Sequence, residues 1–142
     1  MSVARLKRYI YITNTYKYCS TDVCVPISKL SEIIPAAEEI VLNSYARDLG
    51  YGFLGHVGDG NFHIFMPVNY ATVAELKEVS TKVAHLALDL GGTCTGEHGV
   101  GLGKRSVMAK ERGDRAIELM RSIKNVIDPK GLMNPNKILP KI

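Results

Sequence analysis

The chain predicts an α+β fold: strands and helices alternate as βαββαβ, one antiparallel sheet carries its helices on one face, and a further helix follows at the C-terminal end. Three observations predict it. Tyr51 to Val68, YGFLGHVGDGNFHIFMPV, alternates its residues on either side of an Asp-Gly pair, the mark of a β-hairpin. Two stretches with apolar residues at helical spacing flank that hairpin, and each is bordered on its far side by a short strand-like run. With 142 residues and ordinary apolar content, the chain is most simply one domain with one core.

Taken in order, Met1 to Ser20 is basic and rich in tyrosine. Tyr9 to Thr13 favours extended structure, and nothing in this head carries chemistry. Asp22 to Pro26 reads as a short strand stopped by proline. Ser28 or Ser31 then opens a helical pattern that runs to Asp48-Leu49-Gly50, with Ile33, Ala36, Ala37, Ile40, Val41, Ser44 and Tyr45 at helical spacing. Pro35 is tolerated near a first turn, which places the start of the main helix close to it. After the hairpin, Thr72 to Glu75 has the capping-box pattern and opens a second helix, with Val73, Leu76, Val79, Val83, Ala87 and Leu90 inward and Gly91-Gly92 at its end. Thr93 to Thr95 reads as a fourth short strand. The glycine-rich run from Gly96 to Gly103 is no P-loop, because its spacing to Lys104 fails. A last helix from about Asp114 to Ile127 is expected to bury Ile117, Met120, Ile123 and Ile127 before Asp128-Pro129 breaks it. The whole is a ferredoxin-like βαββαβ sandwich plus a C-terminal helix.

The hairpin also carries the reactive side chains. If Asp59 and Gly60 are a two-residue turn, His56 faces His63 across the strands, with Cβ atoms roughly 4.5 to 5.5 Å apart. Two imidazoles so placed close on one metal ion at about 2 Å per Zn–N bond. A turn centred on Gly58-Asp59 slides the register yet keeps both histidines on one face; a three-residue loop separates them. With the first register Phe53, Gly55, Val57, Phe62, Ile64 and Met66 form the core face. Leu54, His56, Gly58, Asn61, His63 and Phe65 form the other, which no helix of this chain covers. That open face is expected either to pair with a second copy as a twofold dimer or to be closed by the basic head as an extra strand.

Composition excludes several classes. No run is long and apolar enough to span a membrane. The net charge of +4 comes largely from the head, and no basic stripe interleaves with aromatics, which argues against nucleic-acid binding. Cys19, Cys24 and Cys94 are odd in number and form no CxxC, as expected of reduced thiols in a cytoplasmic protein.

From Thr21 to Ile142 the chain resembles the C-terminal part of FAD-linked oxidases and dehydrogenases of the D-lactate, glycolate-oxidase-subunit and D-2-hydroxyglutarate types. The stretches that carry the resemblance are TDVCVPISKL, GHVGDGNFH, GGTCTGEHGVGLGK and DPKGLMNPNK. Asn136 stands where that family has glycine, and Asn is the best substitute in a left-handed conformation. The resemblance implies a unit from residue 21 to 142 that is the second half of a substrate and metal domain, with residues 1 to 20 outside it. It also implies FAD in a domain beyond this chain, supplied as a separate subunit or otherwise missing. His56, His63 and Glu97 would be metal ligands, His98 the catalytic base and Asn61 a contact to a small 2-hydroxy acid. Zinc suits such ligands, and manganese or iron remain open. If Gly96 to Gly99 is extended, Glu97 and His98 point to opposite sides, one to metal and one to substrate. An ideal sheet, however, sets the end of the fourth strand far from His56 and His63. The alternative reading is a metal-binding or interaction module without catalysis.

Overall fold

The computed structural model describes residues 17–139; the Tyr9 to Thr13 expectation lies outside them. Its elements are β1 (Lys17–Ser20), β2 (Val23–Cys24), α1 (Leu30–Leu42), α2 (Ala46–Leu49), β3 (Gly52–Leu54), β4 (Asn61–Val68), α3 (Val73–Asp89), α4 (Arg105–Arg112) and α5 (Asp114–Ile127). The fold is α+β with an antiparallel sheet, as the sequence predicts.

β4 is the centre of the sheet. β1 and β2 pair with it in one continuous register, from Lys17↔Val68 to Cys24↔Asn61, so they form one strand interrupted at Thr21-Asp22. β3 lies on the opposite edge, since Phe65 faces both Ser20 and Gly52. The expected fourth strand shrinks to a single bridge between Cys24 and Thr93. Helix α1 joins strands separated by β4, and α3 joins strands separated by β1 and β2, which is the split βαβ arrangement.

The core forms where the two periodicities meet. Phe62, Ile64 and Met66 recur at every second residue of β4, and Ile33, Ala37 and Val41 at every fourth residue of α1. Leu76, Val79, Val83, Ala84 and Ala87 of α3 complete it. Val73, expected inward, is 39% exposed.

Several local expectations give way. α1 begins at Leu30 rather than near Pro35, which sits inside the helix; the carbonyl that loses its partner belongs to Ser31, an exposed residue. The helix stops at Leu42, and a separate short α2 reaches Gly50. The capping box does not form, because the Glu75 carboxylate accepts the Tyr45 N–H instead; Asn69 Oδ1 takes the N–H groups of Ala71 and Thr72. The eight residues of α4 are a helix that the sequence reading passed over. On α5, Ile117 is buried, but Met120, Ile123 and Ile127 turn outward with Leu119 and Val126. Asn136 does adopt a left-handed φ of 62°.

The two-residue turn is also overturned. Leu54, not His56, faces His63, which is the register of a turn centred on Gly58-Asp59. Four residues, Val57 to Gly60, make the connection: the Asn61 N–H donates to the His56 carbonyl at 3.3 Å, and Gly60 is left-handed at φ 74°. The loop lies flat on Val25, whose N–H donates to the Gly60 carbonyl, and a Cβ at Gly60 would meet the Val25 carbonyl oxygen at 2.0 Å. Val57 is consequently exposed rather than in the core. The face opposite the helices, expected to be open, is open in part among the described residues. Asn61 and His63 are buried there, Leu54 stays exposed, and Lys17 to Ser20 of the head do supply a strand. No described helix is long and apolar enough to cross a membrane.

Candidate functional site

His63 points away from the helices because it alternates with Phe62 and Ile64 on β4. The interruption at Thr21 serves it directly. Thr21 Oγ1 accepts the Ile64 N–H at 3.0 Å, in the place of a ladder carbonyl, and the Thr21 carbonyl turns to His63 Nδ1 at 3.0 Å. A carbonyl only accepts, so this contact assigns a proton to Nδ1; in the neutral ring the Nε2 lone pair then faces the site. Nε2 faces Glu97 Oε1 at 2.9 Å.

His56 reaches the same carboxylate from the other side, with Nε2 3.6 Å from Glu97 Oε2. Its ring lies 6.4 Å from that of His63 and nearly perpendicular to it. The ligating atoms of His56, His63 and Glu97 fall within 4.8 Å of one another. A lone-pair nitrogen that faces a carboxylate is a donor set for a divalent cation, and spacings of 2.9 and 3.6 Å suit two donors that share one ion through bonds of about 2.0 to 2.2 Å. Zinc, manganese or iron all accept nitrogen and oxygen ligands of this kind.

Glu97 gets there because the chain leaves the sheet at once. After the bridge at Thr93, the Thr95 to His98 stretch folds back over β2 and wraps the carboxylate of Asp22, which is 1% exposed. Asp22 accepts the His98 N–H at 2.8 Å, the Glu97 N–H at 3.0 Å, the Thr95 hydroxyl at 3.0 Å and the Asn61 amide at 2.8 Å. Two successive N–H groups aimed at one carboxylate exclude an extended backbone, so Glu97 and His98 do not split to opposite sides. Instead His98 stacks on His63, with centroids 4.8 Å apart at 15°, and its Nε2 is 3.8 Å from Glu97 Oε1. This also removes the conflict between an ideal fourth strand and a distant Glu97. Gly96 is required at the crossing, where a Cβ would sit 1.9 Å from Asn61 Nδ2.

Burial works against charge on Asp22, but the amides of His98 and Glu97, the Lys104 ammonium and the Asn61 amide outweigh it and hold the carboxyl far below its ordinary range. Lys104 Nζ lies 3.5 Å from Asp22 Oδ2 and donates to the Asp22 carbonyl; burial pulls its pKa down against that attraction. Burial, then Glu111, pushes the Cys94 thiol up to about 11.

His56, His63, Glu97 and His98 therefore come together, while Asn61 stands behind them. It is 5% exposed, and its amide nitrogen donates to Asp22 and to the Val23 carbonyl, so it presents no donor to a ligand on the open side. Asp22 and Lys104 went unnoticed as parts of the site. Their signal was faint: an aspartate opening a short strand, and a lysine weighed for phosphate binding alone.

The family described as "FAD linked oxidases, C-terminal domain" matches this chain over residues 4–138. Among curated proteins, the chain is 44% identical over 127 residues to "Probable D-lactate dehydrogenase, mitochondrial" of Danio rerio, covering 87% of this chain and 25% of that protein. It is 33% identical over 126 residues to "D-2-hydroxyglutarate dehydrogenase, mitochondrial" of the same fish, covering 89% and 22%. To the glycolate oxidase subunit of Bacillus subtilis it is 32% identical over 123 residues, covering 84% and 26%. The chain thus spans about a quarter of the length of these relatives. With a match that runs through both the histidine hairpin and the Glu97-His98 loop, the chain belongs to the family of the C-terminal domain of FAD linked oxidases.

Proposed function

We propose that this chain is the metal- and substrate-binding portion of a FAD-dependent D-2-hydroxy-acid dehydrogenase and works with a flavin-bearing polypeptide. The observation that carries the reading is the convergence of His56 and His63 on the Glu97 carboxylate at 3.6 and 2.9 Å, with His98 stacked against His63. His56, His63 and Glu97 would hold a divalent cation, which supplies Lewis-acid polarisation of a bound hydroxyl. FAD, when bound to its own polypeptide, supplies the acceptor for the C2 hydride.

This chain's residues do the rest. The Thr21 carbonyl keeps the His63 proton on Nδ1 and turns Nε2 to the site. His98, half-exposed on the open side, takes the proton of the substrate hydroxyl on its imidazole. Asn61 acts from behind through Asp22 rather than on the substrate. The three free thiols suit a reducing compartment, the cytoplasm among them.

Elemental analysis tests the metal. The purified chain is expected to hold about one divalent ion, and His63→Ala or His56→Ala to lose it; equal metal in all three proteins sinks the reading. The chain alone is expected to be colourless and inert towards D-lactate. With a flavin polypeptide supplied, His98→Ala should abolish turnover and keep the metal.

A further inference from the structure

We propose that Asp22 is the positioning residue of this site: its buried carboxylate sets the Glu97-His98 pair over His63 by gripping the two backbone N–H groups of that pair. The proposal rests on the reading of His56, His63, Glu97 and His98 as the functional set, and goes beyond it to a residue outside that set.

The argument starts from cost. A carboxylate taken out of water is expensive to bury, and a structure retains one where enough donors surround it. Asp22 is 1% exposed and has four: the N–H groups of Glu97 and His98, the Thr95 hydroxyl and the Asn61 amide. Lys104 stands beside it as the countercharge. Consecutive N–H groups that converge on one anion form a nest, here an internal one whose occupant is a side chain of the same protein. A serine or asparagine could cap such a loop in part. A carboxylate alone offers two oxygens that only accept, which lets Oδ1 face Asn61 while Oδ2 faces Thr95 and His98.

The position of the nest gives it a role beyond packing. Glu97 and His98 are flanked by Gly96 and Gly99, so little in the local backbone holds them. Gly99 is left-handed at φ 78° and has open space at its Cβ position. Asp22 fixes that pair to the centre of the sheet, because it occupies the ladder interruption opposite His63 and its Oδ1 is 3.8 Å from His63 Nδ1. One carboxylate thereby adjoins His63, Glu97 and His98 together. Partners of this kind behind a ligand typically control affinity by 10- to 100-fold when removed.

The test uses Asp22→Asn, which keeps the shape but faces a donor towards donors, and the milder Thr95→Val, which removes one of the four donors. Amide hydrogen exchange by NMR is read on the metal-free chain, and zinc affinity by calorimetry. In Asp22→Asn the Glu97 and His98 amides should lose protection at least about tenfold while Ile64 and Met66 keep theirs, and zinc should bind about 10- to 100-fold more weakly. Thr95→Val should weaken zinc a few-fold with the core amides unchanged. Unchanged protection at Glu97 and His98 in Asp22→Asn overturns the proposal. If that variant does not fold, Thr95→Val decides, and wild-type zinc affinity there overturns it. A wild-type chain that binds no zinc refutes the metal reading alone; the amide pattern still decides the role of Asp22.

Discussion

Asp22 and Asp128 do the same thing in two parts of the molecule, and the difference lies in what they hold. Each carboxylate accepts two successive backbone N–H groups, those of Glu97 and His98 in one case and of Leu132 and Met133 in the other, and each has a lysine beside it, Lys104 or Lys124. Asp128 works locally. Its partners lie within five residues along the chain, and it ties the tail to the end of α5. Asp22 reaches partners 75 and 76 residues away and lies between the sheet and the loop that completes the site. The local arrangement is a terminus cap, whereas the long-range one joins the first strand, the central strand and the glycine-rich loop into one unit.

That contrast orders the expected effects of mutation. Asp22→Ala should be the most damaging, at roughly 3 to 5 kcal/mol in denaturant unfolding, because it strands the donors around the carboxylate and takes away the countercharge of the Lys104 ammonium. A loss below about 1 kcal/mol would make the two aspartates alike and break the comparison. Gly96→Ala should cost about 1 to 3 kcal/mol by forcing a Cβ onto Asn61 and Asp22, and should disturb the Glu97 and His98 resonances first. Asp128→Ala should move the unfolding midpoint less than either and free the tail.

Its pH dependence sharpens the point. The Lys124 hydrogen bond, then the Met133 amide, holds the Asp128 carboxyl at about 2, below its ordinary 3.8. A depressed carboxyl stabilises the fold above its unfolded value and loses that contribution as pH falls through the folded one. Protection of the Leu132 and Met133 amides should therefore fade between about pH 4 and 2. The Glu97 and His98 amides should likewise lose protection only below the ordinary carboxylate range, since Asp22 too is held down. The smallest effect belongs to the outer side of α5. Val126→Ser should change stability by no more than about 0.5 kcal/mol, because that side chain is already 82% exposed.

The same contrast explains what could be read from residues alone. Alternation showed the faces of β4 around Phe62, Ile64 and Met66, and four-residue spacing showed Ile33, Ala37 and Val41, because both are local periodicities. The histidine hairpin and the glycine-flanked Glu97-His98 were visible as motifs. The register was off by two residues because an Asp-Gly pair also fits the end of a four-residue loop, where Gly60 takes the left-handed position. Helix α4 is too short to show a period. Asp22 was unreadable as a hub since two of the four donors to its carboxylate are backbone amides; those of Glu97 and His98 leave no trace in sequence. On α5 the period placed Ile117 in the core, but Met120, Ile123 and Ile127 face outward, for an amphipathic pattern does not say how far along the helix a neighbour covers it.

The interruption at Thr21-Asp22 has one more consequence, for aggregation. Unpaired strand edges are templates for a second chain, and proteins blunt them by keeping them short or kinked. β4, with eight residues, is the strand long enough to recruit a partner, and β1, β2 and β3 cover both of its sides. Among the described residues the strands outside it run from Lys17 to Ser20 in β1 and from Gly52 to Leu54 in β3, and the turn of the chain at Asp22 separates β1 from β2. A substitution that straightened this segment would trade a positioned carboxylate for a continuous eight-residue edge, and so would put solubility at risk along with the site.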